Sequence, residues 1–419
     1  MSSRRLLRRP VLGWALYDWA NSAFALTVIT SFLPVMLGEF WNDGAASTVT
    51  TFRLGVANSV ASLLVAILSP LLGAVADHAG RRKGFLIILA GLGIVMTGAL
   101  SMVAQGQWPL GLALFVFASI GFAGGNTFYD SLLLNVAGPD QLHRVSALGF
   151  GLGYIGGALM FSACVFMVTN PDLFGFDSPF AAIRVAFLLV ALWWALFSLP
   201  LLIWVRDDSV RKSSLREALA FGVRDLAGTL RELRGNRALL TFLVAYWLYI
   251  DGVDTIIRMA GDYGLAIGLD RQDVILALLL ANFVGFPSAL AFGWIGHRFG
   301  ARRGIYLGLT AYIVATALAA LVDTAAEFFI LAGAVGCVQG GVQSLSRSFY
   351  ASLIPRDLPA QYFGLYNMLG KFAAIDGPVL TGYVALLTGS QRVGILSILI
   401  LFASGFWLLT RVPVTSVDR

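Results

Sequence analysis

Ionisable and amide side chains recur at helical spacing inside stretches that are otherwise apolar. Asp18 and Asn21 stand three apart, Asn126 and Asp130 four apart with Tyr129 between them, and Asp251, Asp254 and Arg258 follow at three and four. Gln339, Gln343 and Arg347 stand at successive fours, and Asn367 and Lys371 are again four apart, with Asp376 beyond. Each spacing puts its residues on one face of a helix. A charge in hydrocarbon is costly, so such residues face a water-accessible cavity or one another. Asp254 with Arg258, or Asp130 with Arg347, read alone, would be ion pairs that only hold helices together. Polar stripes on several helices exceed what packing needs and predict a midplane cavity offering cations (Arg347, Lys371, Arg258) and carboxylates (Asp18, Asp130, Asp251, Asp254). Such a mixture suits a small zwitterion. The guanidinium of Arg347 is expected to be held by Asp130 or Asp251 at rest and by a cargo carboxylate when occupied. Asp18, Asn21 and the backbone around Gly252 would then receive an ammonium group. Five intramembrane carboxylates against three cations call for a coupling proton, with Asp18 or Asp251 as its carrier.

These stripes need membrane helices to carry them. Hydrophobic residues make up 58% of the 419, charged residues 12%, and mean hydropathy is +0.81, too little polar surface to cover a water-soluble globule. Twelve runs are long enough to span lipid, at 11–38, 52–76, 84–104, 108–137, 144–169, 182–205, 238–262, 273–296, 304–322, 327–354, 360–388 and 393–411. The fold class is therefore an all-α membrane protein of twelve transmembrane helices in two pseudo-symmetric six-helix bundles, 1–206 and 238–419, joined by 207–237. Basic residues fall at alternate ends. One side holds the tail, Arg81 to Lys83, Arg144, the joining segment, Arg298 to Arg303 and Arg356; the other holds only Arg53, Arg184, Arg271 and Arg392. That bias puts both termini in the cytoplasm. The lipid bilayer explains the net charge of +6, and no nucleic acid is needed as a partner. Arginine outnumbers lysine heavily, a bias of GC-rich bacterial genomes, so the cell (inner) membrane of a bacterium is the expected location.

The two halves share a hairpin. Gly73, Asp77, Gly80, Arg81 and Arg82 return half a chain later as Gly293, His297, Gly300, Arg302 and Arg303. In the first copy Asp77 is expected to gate the cytoplasmic side by meeting the Arg81/Arg82 cluster and the amino end of the eleventh span near Pro359. The joining segment alternates Arg216, Arg224, Arg231 and Arg234 with Leu215, Leu219, Val223, Leu226 and Leu230, opened by Ser214 and Glu217, and predicts an amphipathic helix lying on the membrane face.

Twelve helices in two halves with this hairpin resemble the major facilitator superfamily. More narrowly, Trp14-Ala-Leu-Tyr17-Asp18-Trp19-Ala20-Asn21-Ser22, Phe128-Tyr129, Tyr249-Ile-Asp251-Gly252, Gly340-Gly341-Val-Gln343-Ser-Leu-Ser-Arg347-Ser348 and Phe363-Gly364-Leu-Tyr366-Asn367 followed by Gly370-Lys371 resemble the vacuole-effluxer family. That family comprises bacterial proteins related to fungal autophagy-linked vacuolar amino-acid exporters. The resemblance implies a secondary transporter working by alternating access, with efflux of an amino acid as the favoured direction and cargo. Asp130 stands where the pattern has Asn, and Asp254 and Arg258 match no motif of the family. A carrier of lipid, sugar or drug is the alternative within the class, and a non-transporting receptor the alternative outside it.

Other motifs lead away from chemistry. Gly151-Leu-Gly153-Tyr-Ile-Gly156 fits a dinucleotide fingerprint, but no strand precedes it; Gly149, Gly153 and Gly157 instead make a flat helix surface for close packing. Tyr17-Asp18 and Gly261-Asp262 faintly resemble intramembrane aspartyl proteases, yet the two carboxylates lie at opposite depths and cannot share a water. His78, His143 and His297 fall in loops, and Cys164 and Cys337 are isolated in apolar runs. The expectation is no enzyme, no cofactor, no metal and a monomer. The twin-arginine look of Ser3-Arg4-Arg5 is read as a basic anchor for a retained first helix, because Asp18 and Asn21 interrupt the run that follows.

Overall fold

The computed structural model describes residues 6–42, 44–207 and 215–413. Among them the regular structure is helical, in the order α1 (Arg9–Trp41), α2 (Ser47–Ala79), α3 (Arg82–Met102), α4 (Trp108–Val136), α5 (Pro139–Thr169), α6 (Pro179–Trp204), a linker helix (Leu215–Gly235), α7 (Arg237–Ala266), α8 (Arg271–Phe299), α9 (Ala301–Ala319), α10 (Ala325–Leu353), α11 (Pro359–Thr388) and α12 (Gln391–Arg411). Among the described residues ten of these are long and apolar enough to cross a membrane; α9 and α11, helices of 19 and 30 residues, are not among the ten. Arg4 and Arg5, and Ser214 of the expected linker cap, lie outside the described residues. Ala23, Phe24 and Ala25 run on within α1.

Local chemistry sets the ends. Gly80 adopts φ +62 and closes α2 as a left-handed cap, a conformation that favours glycine over any residue with a Cβ. Thr324 and Glu327 form a reciprocal capping box at the start of α10. The half of α1 beyond Ala23 is underwound into wide π-helical turns at Phe24–Phe32 and Leu37–Trp41. There the Thr30 and Ser31 hydroxyls donate to carbonyls five residues back, on Ala25 and Leu26. Such widened turns occur mostly at functional positions.

The first six and last six helices meet mainly toward the hairpin face, the end where α2 turns into α3 and α8 into α9. Small residues let backbones touch there. A Cβ on Gly73 would sit 2.2 Å from the Ala360 carbonyl oxygen, and one on Gly364 would sit 2.6 Å from that of Ser69, so α2 and α11 cross in backbone contact. A Cβ on Gly293 would lie 2.4 Å from the Ala147 Cβ and one on Gly296 would lie 3.3 Å from the His143 Cβ, so α8 packs closely on α5. The linker helix rests on this seam. Ala218 is buried against Val75 and Ala79 of α2, Thr229 accepts from Gln361 Nε2 at 2.7 Å, and Tyr362 of α11 donates to Glu232. It is thus more than a tether, since it touches both halves.

Candidate functional site

The midplane stripes converge on Arg347. Its guanidinium is 3% exposed and spends its donors on the opposite half: Nη1 on Asp130 Oδ1 at 3.0 Å, Nε on Ser146 Oγ at 2.9 Å and Nη2 on the Ser146 carbonyl at 2.9 Å. Asp18 Oδ2 lies 3.6 Å from the same Nη1 and accepts from the Tyr129 hydroxyl at 3.0 Å. The guanidinium lies 4.2 Å from the ring centre of Phe150 and 4.9 Å from that of Trp14, within cation–π range. Trp14 is one turn from Asp18, stacks on Tyr129 with ring centres 4.4 Å apart and donates to its carbonyl. Room for all this comes from Gly149, where a Cβ would meet the Tyr129 hydroxyl at 2.7 Å and Arg347 Nη2 at 3.1 Å. A buried charge with three hydrogen bonds and two facing carboxylates is compensated in the way a low-dielectric site requires.

Neighbouring stripes extend the cluster. Asn367 of α11 donates to the second oxygen of Asp130 at 3.1 Å, and Asn21 donates to Asn126 at 2.6 Å. Gln343 accepts from the Tyr154 hydroxyl at 2.8 Å, and Gln339 is buried one turn further along α10. Away from the hairpin face lie Asp254 and Lys371, half-buried, and Arg258 and Asp376, exposed. Asp254 lies in the electrostatic field of both Arg258 and Lys371, but neither cation comes within ion-pair distance of a described carboxylate. The Asp254–Arg258 ion pair, the purely structural alternative for these two residues, is therefore not formed.

Helix α7 departs from expectation at one point. Asp251 does not reach Arg347; it is 2% exposed, turned toward α11, and accepts the Gly377 backbone N–H at 2.9 Å and the Thr255 hydroxyl at 3.5 Å. Pro378 follows Gly377 inside the continuous helix α11 and lacks the N–H of a ladder bond, and Asp251 accepts the N–H just before it. Gly252 likewise faces Phe402 of α12 and not the cavity. A Cβ on Gly377 would lie 1.8 Å from Thr255 Oγ1 and 2.7 Å from Asp251 Oδ1. Gly377→Ala should accordingly lower stability by about 1–3 kcal/mol through overpacking, read as a lower melting temperature of the purified protein. An unchanged melting temperature would show that α11 bends freely at this point.

At the hairpin face Asp77 is sealed, 1% exposed. Its Oδ1 pairs with Arg82 and its Oδ2 accepts the Gln361 backbone N–H at 2.8 Å, at the amino end of α11. Arg82 continues to Asn135 and to the Asp357 carbonyl. Arg81 is exposed and takes no part in this ion pair. In the second hairpin Arg302 instead donates to the Thr410 carbonyl and to the Tyr306 hydroxyl within the last six helices. Ser146, Trp14, Tyr154 and Gly149 hold the site together, yet Ser146 and Tyr154 carry no periodic signal in a glycine-rich helix that would have singled them out.

The architecture has solved counterparts. Over 98% of this chain and 100% of that one it superposes, with TM-score 0.72 at 14% identity, on FucP, a Major Facilitator Superfamily transporter solved in the outward conformation. This is the major facilitator fold, an integral multi-pass membrane protein. A family model described as "Vacuole effluxer Atg22 like" matches residues 46–141 and 137–419. The uncharacterized MFS-type transporter YxiO of Bacillus subtilis is 35% identical over 97% of this chain and 95% of its own length. Autophagy-related protein 22 of Coccidioides immitis is 23% identical over 98% and 88%. The chain belongs to the vacuole effluxer family of major facilitator transporters, and its relatives are transporters and not enzymes.

Proposed function

We propose that this transporter works by alternating access, moving a small zwitterion of the amino-acid type with coupling to protons, with efflux as the favoured direction. The observation that carries this reading is the Arg347 cluster. A guanidinium fork from the last six helices is shared by two carboxylates from the first six, beneath a cleft whose wall carries Arg258, Lys371 and Asp254. A cargo carboxylate would compete with Asp130 for Arg347, and an ammonium group would be received by Asp18 and Asn21. Two carboxylates around one cation leave the cluster one negative charge in excess. A proton on Asp18, the less closely held of the two, removes it. Asp251, engaged with the α11 backbone, is the weaker candidate for that proton. The directional part of the reading takes its support from the family's description.

With both termini cytoplasmic in a bacterial cell membrane, the closed hairpin face is the inner one and the cleft opens outward. Asp77 is then the latch of the inner gate. Asp77→Asn keeps an acceptor for the Gln361 N–H but loses the charge facing Arg82; hydrogen bonds to a charged group are worth about 1.5–3 kcal/mol. It should slow transport while leaving cargo affinity within a few-fold, and raise cysteine labelling on the hairpin face roughly tenfold or more. Unchanged labelling would remove Asp77 from the gate.

The reading is tested by uptake of labelled amino acids into proteoliposomes under an imposed pH gradient. Accumulation that follows the gradient in the parent, and no longer follows it in Asp18→Asn, is the expected result. Accumulation indifferent to pH but driven by sodium would replace the proton, and transport of sugars or lipids with no amino acid moved would replace the zwitterion.

A further inference from the structure

Tyr154 stands on α5, among the first six helices, but its ring is seated in the last six. The seat is a slot between α8 and α10 that only glycines leave open. A Cβ on Gly285 would lie 3.1 Å from the ring Cγ, and a Cβ on Gly340 would lie 2.6 Å from Cε2. At the end of the slot the hydroxyl donates to Gln343 Oε1 at 2.8 Å, one turn from Arg347. The helix around it is bound to the same partner by close approaches, Gly151 to Phe286, Ala147 to Gly293 and His143 to Gly296. A ring inserted between two helices of the opposite half cannot stay there when the halves rock apart.

From this geometry we infer that Tyr154 is a positioning residue for transport, a key that locks the hairpin-closed state when inserted and reports the occupancy of the cavity through Gln343. Cargo that takes the Gln343 amide competes with the Tyr154 hydroxyl, so binding in the cavity and release of the key draw on one hydrogen bond. That sharing is the differential contact any ligand needs in order to shift a conformational equilibrium. The inference rests on the alternating-access reading above and is independent of which cargo is carried.

Hydrogen–deuterium exchange of the full-length protein in nanodiscs, without cargo, tests it. Gly340→Ala puts a methyl group where the ring lies, and exchange over 142–154 and 359–366 should rise roughly tenfold as the hairpin face opens. Tyr154→Val alone removes ring and hydroxyl and should also raise exchange there, and Gly340→Ala with Tyr154→Val should exchange like Tyr154→Val alone, because the smaller side chain no longer meets the methyl. Tyr154→Phe keeps the ring and loses the hydroxyl, and should raise exchange in the same segments roughly threefold, the scale of one interhelical hydrogen bond in a membrane. Parent-level exchange in Gly340→Ala or in Tyr154→Val, or a double variant that exchanges more than Tyr154→Val alone, overturns the inference. If Gly340→Ala does not fold, parent-level exchange in Tyr154→Phe overturns it instead. Asp77→Asn separates the two levels of reading. Opening by Asp77→Asn but not by the slot variants removes Tyr154 alone, while no opening by any of them removes alternating access itself.

Discussion

Arg347→Lys should weaken binding of a carboxylate-bearing cargo roughly 30- to 100-fold while leaving the protein folded. Lysine keeps the positive charge and so spares Asp130 and Asp18 from being left uncompensated, a change that would cost about 3–5 kcal/mol. What it loses is the fork. Arg347 makes three directed bonds, to Asp130, the Ser146 hydroxyl and the Ser146 carbonyl, and a single ammonium on a flexible stem cannot repeat them at the same points. Two lost hydrogen bonds in a buried site amount to about 2–3 kcal/mol. The ring faces of Trp14, Tyr129 and Phe150, which fit a planar cation, lose their partner as well. Isothermal titration or equilibrium dialysis against the identified cargo reads the change. A variant that binds as tightly as the parent would make Arg347 an ion-pair residue between the halves and nothing more.

Gly73→Leu should have the largest effect on conformation. The Cβ alone would stand 2.2 Å from the Ala360 carbonyl oxygen and 3.0 Å from the Gln361 nitrogen. These are backbone atoms that cannot swing aside, so the crossing of α2 and α11 must open. That movement also pulls the Gln361 N–H from Asp77. Overpacking costs of about 1–3 kcal/mol, joined to the lost bond, move the population of open hairpin faces roughly a hundredfold. Cysteine labelling on the hairpin face should rise by that order, and labelling in the opposite cleft should fall in step. A rise on both faces together would signal unfolding in place of a gate.

Much of this was readable in the chain because membrane helices carry their polar residues at a fixed period. The stripes Asp18/Asn21, Asn126/Asp130 and Gln343/Arg347 picked the side chains that meet, and the hairpin from Gly73 to Arg82 pointed to the meeting of Asp77 with the start of α11. A stripe gives the azimuth of a side chain but not the neighbour it finds at its own depth. Asp251 and Asp254 are three residues apart, yet one meets a backbone N–H beside Pro378 and the other lies in the field of Arg258 and Lys371. What the hairpin pattern does not carry is the burial of Asp77, which arises because the approach of Gly73 to Ala360 brings α11 over it, with the linker helix packed alongside. Ser146 and Tyr154 were missed for a different reason: an uncharged polar residue in a glycine-rich helix has no pattern until the facing helices are known. The glycines themselves were legible as a packing surface. Gly153 and Gly157 lie against Ser22 of α1, while Gly149, on the same stripe, makes space for Arg347.

The most direct measurement is the thermal stability of the purified parent and of Arg347→Lys, each titrated with individual amino acids, their deaminated analogues and neutral sugars. Because a ligand stabilises only the state that binds it, about 2.7 kcal/mol is gained at one hundred times Kd. The predicted result is a parent whose melting temperature rises with at least one amino acid and far less with its deaminated analogue, and an Arg347→Lys protein that needs at least roughly 30-fold more ligand for the same rise. Equal titration curves for the two proteins, or stabilisation by sugars with no response to any amino acid, would contradict it.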